Sequence, residues 1–159
     1  MHELLAHLTD CFLVRTVWLE TDSERRRMVN PRKVYPVDPG LIPVFDRYGK
    51  ANLGHALETA VLIELERRGA AVTYVRTAEG FEVDFCAVHP TGERELIQVA
   101  ADASAADTGE RELRALQSAS RELRATTAHL ITATADGFPS TVPKGIAVHS
   151  AADWFLGRV

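Results

Sequence analysis

The residues best suited to metal chemistry in this 159-residue sequence are a carboxylate and a carboxamide on two neighbouring segments. Asp84 lies in the middle of the apolar run 82–88, and Gln98 lies in the middle of the run 95–100. Both runs alternate as β-strands do, and the turn 89–92, which contains Pro and Gly, predicts an antiparallel hairpin. Oxygen atoms of carboxylates and amides are ligands that Mg²⁺ prefers. An acid on one strand and a polar residue on the next therefore indicate a small metal site.

Period-2 alternation also predicts which side chains share a face of each strand. The apolar face of the first run consists of Phe81, Val83, Phe85 and Ala87. Asp84 is expected on the opposite face, together with Cys86. In the second run Gln98 is expected to share a face with Leu96 and Ala100. An unbroken alternation would thus fix the direction of both candidate side chains.

A long helix before the hairpin carries a third candidate, Glu58. Asn52 predicts the N-cap of this helix and Gly69 predicts its C-terminal end. At 100° per residue, Glu58 falls within the apolar stripe, where a carboxylate needs a partner. The alternative is that Glu58 lies at the edge of the stripe and reaches water or an arginine. His55, one turn earlier, forms an HxxE pair with Glu58, but without a third ligand it indicates a surface histidine.

The remaining pattern predicts further strands and helices around these elements. Strands are expected over 71–76, 129–134 and 146–148, a helix over 110–126, and a terminal helical turn after Ser150. Asp107 and Glu110 resemble a capping box at the start of the 110–126 helix, and Glu112 is expected on its solvent-facing side. From residue 51 to residue 159 the order of helices and short apolar strands indicates an α/β domain, with a mixed sheet flanked by helices.

The first 50 residues are expected to form a small hairpin that precedes this domain. Its strands are predicted over 12–19 and 33–37, and its charged tip over 21–27. The tip carries Arg25, Arg26 and Arg27. Either this tip is a wing that touches a phosphate backbone, or it is a solvated loop.

Composition excludes several classes of protein. A net charge of −4, with 46% hydrophobic and 25% charged residues, is typical of a globular domain and argues against a basic footprint over the whole protein. The sequence shows no signal peptide and no apolar run long enough to cross a membrane. Because it has no phosphate-binding glycine loop, the chain alone is not expected to be an ATPase. Cys11 and Cys86 indicate reduced, buried thiols in a cytoplasmic protein.

The order and spacing of these short motifs resemble the PD-(D/E)XK nuclease-like fold. The similarity is greatest to the C-terminal domain of unknown function that follows the ATPase module in many prokaryotic AAA-type ATPases. The motifs lie at 29–41, at 54–61, at 74–76 with 82–85, and at 96–99. They span nearly the whole chain. The resemblance implies a C-terminal piece that lacks the ATPase module and begins near the wing.

The resemblance also implies a site, which is incomplete in this sequence. Glu58 and Asp84 correspond to the metal ligands of that fold, and Gln98 stands where the second acid usually is. The usual lysine, two residues further on, orients or deprotonates the attacking water, and here Ala100 takes its position. If the site is intact, its cofactor is Mg²⁺.

Other cations of the chain lie elsewhere in the sequence. Lys33, Lys50 and Lys144 are the only lysines, and none lies on the predicted core strands. Arg76, at the end of the first of these strands, is expected either to stand near the acids or to neutralise Asp84 or Glu58 in a salt bridge.

Three functions are compatible with this sequence. The favoured one is a degenerate, non-catalytic nuclease-like domain with a structural, regulatory or nucleic-acid-docking role. The second is a Mg²⁺-dependent endonuclease, and the third is a protein-interaction module of an ATPase. The expected partners are accordingly DNA, or an ATPase or other protein, and no membrane. The residues expected to contact nucleic acid are Arg25, Arg26, Arg27 and Arg76.

Overall fold

The structure is a computed structural model that describes residues 2–45, 52–123 and 127–158. Within these ranges six α-helices surround seven strands. The helices are α1 (His2–Asp10), α2 (Glu24–Val29), α3 (Ile42–Phe45), α4 (Leu53–Arg67), α5 (Ala106–Leu123) and α6 (Ala151–Phe155). The strands are β1 (Val14–Leu19), β2 (Lys33–Pro36), β3 (Ala71–Arg76), β4 (Glu82–Val88), β5 (Arg94–Ala100), β6 (Thr127–Thr132) and β7 (Ile146–Ser150).

The strands of the described ranges form one mixed sheet in the order β2-β1-β3-β4-β5-β6-β7. β1 pairs antiparallel with β2 and parallel with β3. β3, β4 and β5 are mutually antiparallel, and β6 and β7 then continue parallel to β5. The expected mixed sheet with flanking helices is therefore present, as is the expected hairpin of β4 and β5.

Helices cover both faces of the sheet, and each face has its own apolar core. One face, called the α4 face below, packs against α4 and α6, and Val61, Leu62 and Trp154 are fully buried there. The other, called the α5 face, packs against α5, with Leu96, Leu116 and Leu130 at its centre. Burying these side chains supplies the main favourable term in folding, at roughly 25 cal/mol per Å² of apolar surface.

The N-terminal hairpin is continuous with this sheet. The two predicted strands are present as β1 and β2, and β1 joins β3 through the register pairs Trp18 with Thr73 and Leu19 with Tyr74. The expected tip is partly helical, because the Ser23 side chain caps α2 by accepting a hydrogen bond from the Arg26 backbone at 3.3 Å. Side chains of this hairpin therefore reach the core of the segment predicted as the second domain.

Several local expectations are wrong, each for an identifiable reason. α5 begins at Ala106, so Asp107 lies in its first turn and no capping box forms. Glu112 is buried, because the polar end of its side chain finds partners inside. Cys11 is exposed, because it lies in the turn between α1 and β1 and not in a strand; Cys86 is buried as expected.

Other differences concern the bounds of elements. The helix α1 has no counterpart among the expected elements. Of the expected loop or short helix over 41–48, the structure describes the 3₁₀ turn Pro39–Leu41 and the short helix α3. Residues 46–51, and the predicted end of the second long helix at 124–126, lie outside the described residues.

Candidate functional site

A β-bulge in β4 decides which way Asp84 points. Thr73 of β3 pairs with Cys86, whereas Val75 pairs with Val83, so two residues of β4 oppose one of β3. A bulge of this kind places successive side chains on one face. Phe85 accordingly packs in the core of the α4 face, and the Asp84 carboxylate also lies on that side. The expected alternation fails here, because Val83 packs with the α5 face and not with Phe85.

The helix α4 brings Glu58 to the same place. Asn52 caps it as expected, with its side-chain oxygen accepting a hydrogen bond from the His55 backbone at 3.1 Å. Glu58 follows one turn after His55. Its carboxylate accepts a short hydrogen bond from the Tyr35 hydroxyl, and the ring of Tyr35 stacks on His55 with centroids 5.8 Å apart. His55 therefore packs against an aromatic ring, as a satisfied surface histidine would.

The centre of the site is an ammonium group that comes from β2. Lys33 Nζ lies 2.9 Å from Asp84 Oδ1, 2.9 Å from Glu82 Oε1 and 3.4 Å from Glu58 Oε1. The side chain reaches these acids by passing over Tyr74 of β3, whose ring centroid is 5.7 Å from Nζ. Lys33 and Tyr35 are two residues apart in β2, so both point toward the α4 face. We call Lys33, Tyr35, Glu58, Glu82 and Asp84 the lysine-centred cluster.

Burial and charge set the protonation of this cluster. Burial by itself would lower the pKa of Lys33, but the charges of Asp84 and Glu58 and hydrogen bonds to Asp84 and Glu82 raise it above its ordinary value. Burial and the neighbouring Glu58 charge raise the pKa of Tyr35. The lysine is therefore a cation and the tyrosine a neutral donor at pH 7.

Asp84 behaves differently from an ordinary ion-paired acid. Its burial, together with the charge of Glu58, raises its pKa to about 6, although the ammonium of Lys33 and the backbone N–H of Val99 act to lower it. The two upward shifts have different causes. The charges of the neighbouring carboxylates raise the pKa of Lys33, whereas burial is the largest cause of the raised pKa of Asp84 and the charge of Glu58 adds to it. These contacts favour an ionised Lys33 beside an Asp84 carboxyl group that takes up a proton more readily than an ordinary aspartate.

Gln98 does not join the lysine-centred cluster. Its side chain lies on the α5 face, where Nε2 donates to Glu112 Oε2 at 2.7 Å and Oε1 accepts from the Asp84 backbone at 3.2 Å. Arg111 completes the chain of contacts by donating to Glu112. The expectation that Gln98 stands beside the Asp84 carboxylate is thus wrong, because the bulge rotates Asp84 to the α4 face and leaves Gln98 behind.

The usual lysine position is also turned away from the cluster. Ala100 packs in the core of the α5 face, on the same side as Gln98. Next to the cluster, the residues of β5 that pack toward the α4 face are Ile97 and Val99, which are hydrocarbon side chains. Only the backbone N–H of Val99 contributes, by donating to Asp84 Oδ2 at 3.0 Å. β5 therefore offers this cluster a hydrogen-bond donor and no oxygen side chain.

These residues do not fit a Mg²⁺ ion. The two expected ligands, Glu58 and Asp84, do lie together, but an ammonium already lies between them and the expected amide ligand faces the other way. Across the described ranges, no group of three or more His, Cys, Asp or Glu side chains is arranged to hold a metal ion. The expected metal chemistry therefore lacks a matching set of donors.

The arginines expected to contact nucleic acid are not members of the lysine-centred cluster, although Arg76 pairs in register with its member Glu82. Arg25, Arg26 and Arg27 are exposed on α2, and none of them takes part in an ion pair within the part of the chain that the structure describes. Arg76 is exposed at the end of β3. Among the described residues it forms no ion pair with Asp84 or Glu58, because Lys33 takes that role.

Sequence reasoning missed the two cluster members that come from β2. Lys33 lies outside the predicted core strands and Tyr35 is not among the candidate residues, so neither was expected at the site. One signal was available in the printed sequence. The alternation of Lys33, Tyr35 and Val37 places the lysine and the tyrosine on one face of the strand. Both side chains therefore point to the same side of the sheet.

No helix in the described ranges combines the length and the apolar character that crossing a membrane requires. Comparison of the chain with protein-family models, with curated proteins and with solved structures found no significant match in any of the three.

Proposed function

We propose that this chain is a nuclease-like α/β domain without phosphodiesterase activity, which serves as a docking domain related to the C-terminal domains of AAA-type ATPases. The motif order described above supports the relationship. One observation carries the loss of activity, namely the Lys33 ammonium held by Asp84, Glu82 and Glu58 at 2.9, 2.9 and 3.4 Å.

The physical argument rests on charge. A divalent cation would have to replace an ammonium that is already hydrogen-bonded to the carboxylates, and it would gain no third oxygen side chain from β5. The side chains of Lys33 and Asp84 are only 20% and 12% exposed, so water weakly screens the attraction that holds the ammonium which the ion would have to displace. The cluster then serves to join β2, α4 and β4, as a fixed cation does in a structural site.

The docking role rests on α2. Its three arginines are exposed and lack ion pairs among the described residues, although the chain as a whole carries a charge of −4. Arginine side chains of this kind match the phosphate oxygens of a nucleic-acid backbone. The partner proposed for α2 is therefore the backbone of DNA, bound without reading its sequence.

The test of the catalytic question is a calorimetric titration of Mg²⁺ into the wild type and into Lys33→Met, Lys144→Met and Asp84→Ala. We expect no saturable binding by the wild type in the millimolar range, and none by Lys144→Met, which removes an exposed lysine. Lys33→Met should gain binding, because it frees the carboxylates. Saturable binding by the wild type that Asp84→Ala abolishes, together with cleavage of DNA, would overturn the proposal.

The test of docking is fluorescence anisotropy with labelled duplex and single-stranded DNA. Reversing the three charges in Arg25→Glu, Arg26→Glu, Arg27→Glu should weaken binding at least tenfold and flatten its dependence on salt, by roughly 0.9 in logarithmic slope for each lost phosphate contact. Arg114→Glu, an exposed arginine of α5, is the matched control and should change affinity little. Equal binding by the triple variant and the wild type would remove DNA as the partner of α2 and favour the protein-interaction alternative.

A second candidate function is a Mg²⁺-dependent endonuclease. The observation that favours it is that Lys33 supplies, from β2, the lysine that Ala100 cannot supply, at 2.9 Å from Asp84. The same titration decides between the two candidates, because only the endonuclease requires the wild type to bind the ion.

A further inference from the structure

Two histidines on neighbouring strands face each other outside the lysine-centred cluster. His129 of β6 and His149 of β7 place Nδ1 and Nε2 2.9 Å apart, with ring centroids separated by 5.1 Å and planes inclined by 35°. His129 pairs in register with Ala147, so His149 is its diagonal neighbour. Because both side chains start from paired strands, their separation is fixed by the sheet and not by a flexible loop.

The surroundings of this pair favour a bound cation. Burial lowers the pKa of His129 and of His149, and at His149 the neighbouring imidazole adds to the effect. Both rings are therefore neutral at pH 7, and one of the two facing nitrogens donates a hydrogen bond to the other. If the donor ring carries its proton on its other nitrogen instead, both facing nitrogens have a lone pair to offer an ion. The charges that act on the pair are those of Glu95 and Glu93 at His129 and that of Asp153, on α6, at His149, and His89 in turn contacts Glu95. The net field of these groups is negative.

We propose that His129 and His149 form a binding site for a divalent transition-metal ion, Zn²⁺ or Ni²⁺, with water molecules in the remaining coordination positions. Imidazole nitrogen suits these ions, whereas Mg²⁺ prefers oxygen. Bonds of about 2.0–2.1 Å at a tetrahedral angle separate two nitrogens by roughly 3.3 Å. The observed 2.9 Å needs an opening of only a few tenths of an ångström.

Binding has a structural consequence for the end of the sheet. Among the residues that the structure describes, β7 is the last strand of the sheet and pairs with β6 alone. An ion shared by His129 and His149 would join the two strands through side chains as well as through the backbone. A ligand that binds only the folded state raises the stability in proportion to the logarithm of its concentration over Kd.

The experiment is a calorimetric titration of Zn²⁺, and separately of Ni²⁺, into the full chain. All proteins carry Cys11→Ser, since that exposed thiol would compete for the ion. We expect one ion per chain, with affinity reduced at least tenfold by His129→Gln and by His149→Gln. His7→Gln, an exposed histidine of α1, is the matched control and should change affinity less than twofold. Zn²⁺ should also raise the Tm of the control but not that of either pair variant.

Two further readouts separate this site from other sources of binding. Millimolar Mg²⁺ should not compete, and Asp84→Asn should leave Zn²⁺ affinity unchanged, so this test is independent of the lysine-centred cluster. Both pair substitutions lie at partly exposed positions, and far-UV circular dichroism verifies that the variants fold. A Kd above about 1 mM for the wild type, or equal affinity in the wild type and both pair variants, overturns the proposal.

Discussion

At the level of single residues, the lysine-centred cluster contains more acidic groups than basic ones. Three carboxylates approach one ammonium, and the side chains of Lys33 and Asp84 are only 20% and 12% exposed. Water therefore screens these charges weakly, and each partner depends on the others. The Tyr35 hydroxyl donates a hydrogen bond to the Glu58 carboxylate. Glu58 therefore depends less than Asp84 on its contact with the Lys33 ammonium.

Removing the ammonium should destabilise the fold. Lys33→Met leaves two buried acids without a cation, and we expect a loss of about 3 kcal/mol in the free energy of unfolding at pH 7. The contribution is fully present at pH 7, because the pKa of Lys33 is raised above its ordinary value of 10.5 and the group is charged in both folded and unfolded chains. Urea unfolding measures the loss.

The control for this measurement is Lys144→Met, which removes an exposed lysine and should change stability by less than about 0.5 kcal/mol. Equal effects of the two substitutions would show that the contacts of Lys33 contribute nothing to stability.

The raised pKa of Asp84 predicts that the stability of the protein depends on pH. Asp84 ionises near 3.8 in an unfolded chain and near pH 6 in the folded protein, so the folded state holds the proton more tightly between these values. Stability conferred by this group therefore falls as pH rises from 4 to 6. Relative to Asp84→Asn, the wild type should lose about 2 kcal/mol between pH 4 and pH 6, because the slope is at most 1.36 kcal/mol for each pH unit and declines near both pKa values.

Chemical denaturation of both proteins at pH 4, 5, 6 and 7 tests this dependence. The amide of Asp84→Asn beside Lys33 lowers stability by the same amount at every pH. This constant cancels, because the measurement compares how the stability difference between the two proteins changes with pH. If the difference between wild type and Asp84→Asn stays constant, or moves the other way, the buried acid is ionised at a lower pH than these contacts indicate.

At the level of elements, the site depends on a helix start and a strand irregularity. α4 holds Glu58 nearly two turns after the Asn52 cap, and the bulge of β4 turns Asp84 to meet it. Each feature is local in the chain, yet the two are brought together only by the packing of α4 on β4. A substitution that disturbs either element should therefore alter the contacts of both acids.

The cap gives a measurable prediction. Asn52→Ala leaves the His55 backbone N–H without its side-chain acceptor and should cost about 1 kcal/mol of stability. Gln117→Ala, at an exposed position of α5, is the control and should change stability by less than about 0.5 kcal/mol. Thermal or urea unfolding followed by circular dichroism distinguishes the two outcomes, and a neutral Asn52→Ala would contradict the capping role.

At the level of the whole molecule, the N-terminal hairpin and the later sheet share one core. β1 pairs with β3, Tyr35 is fully buried in the core of the α4 face, and Lys33 binds acids of α4 and β4. A segment tied in by a strand pair, a buried ring and an ion pair is not expected to unfold by itself.

The two tryptophans test this cooperativity, because Trp18 lies in β1 and Trp154 lies in α6. Single-tryptophan variants, Trp18→Phe and Trp154→Phe, should each give fluorescence and circular dichroism transitions in urea with the same midpoint. A fluorescence transition of Trp18 at clearly lower urea than the circular dichroism transition of the same protein would mean that the hairpin is a separate unit.

Most of the fold was determined by the sequence alone, because its signals are local. The cap at Asn52, the turn between β4 and β5, the period of α4 and the two strands of the N-terminal hairpin all follow from neighbouring residues. The meeting of Glu58 with Asp84 was also anticipated, although from a resemblance and not from these patterns.

The tertiary structure decided what surrounds those acids. A bulge is the insertion of one residue against a partner strand, so alternation within β4 gives no sign of it. The bulge turns Asp84 away from its predicted face, whereas Gln98 lies on its predicted face with Leu96 and Ala100. Lys33 is 51 residues from Asp84 in sequence and reaches it only because β2 folds back as the strand at one end of the same sheet. Glu112 lies buried for the same kind of reason, since its partner Gln98 belongs to another element. Contacts between elements distant in sequence depend on how the layers pack, and no local pattern of residue types records that packing.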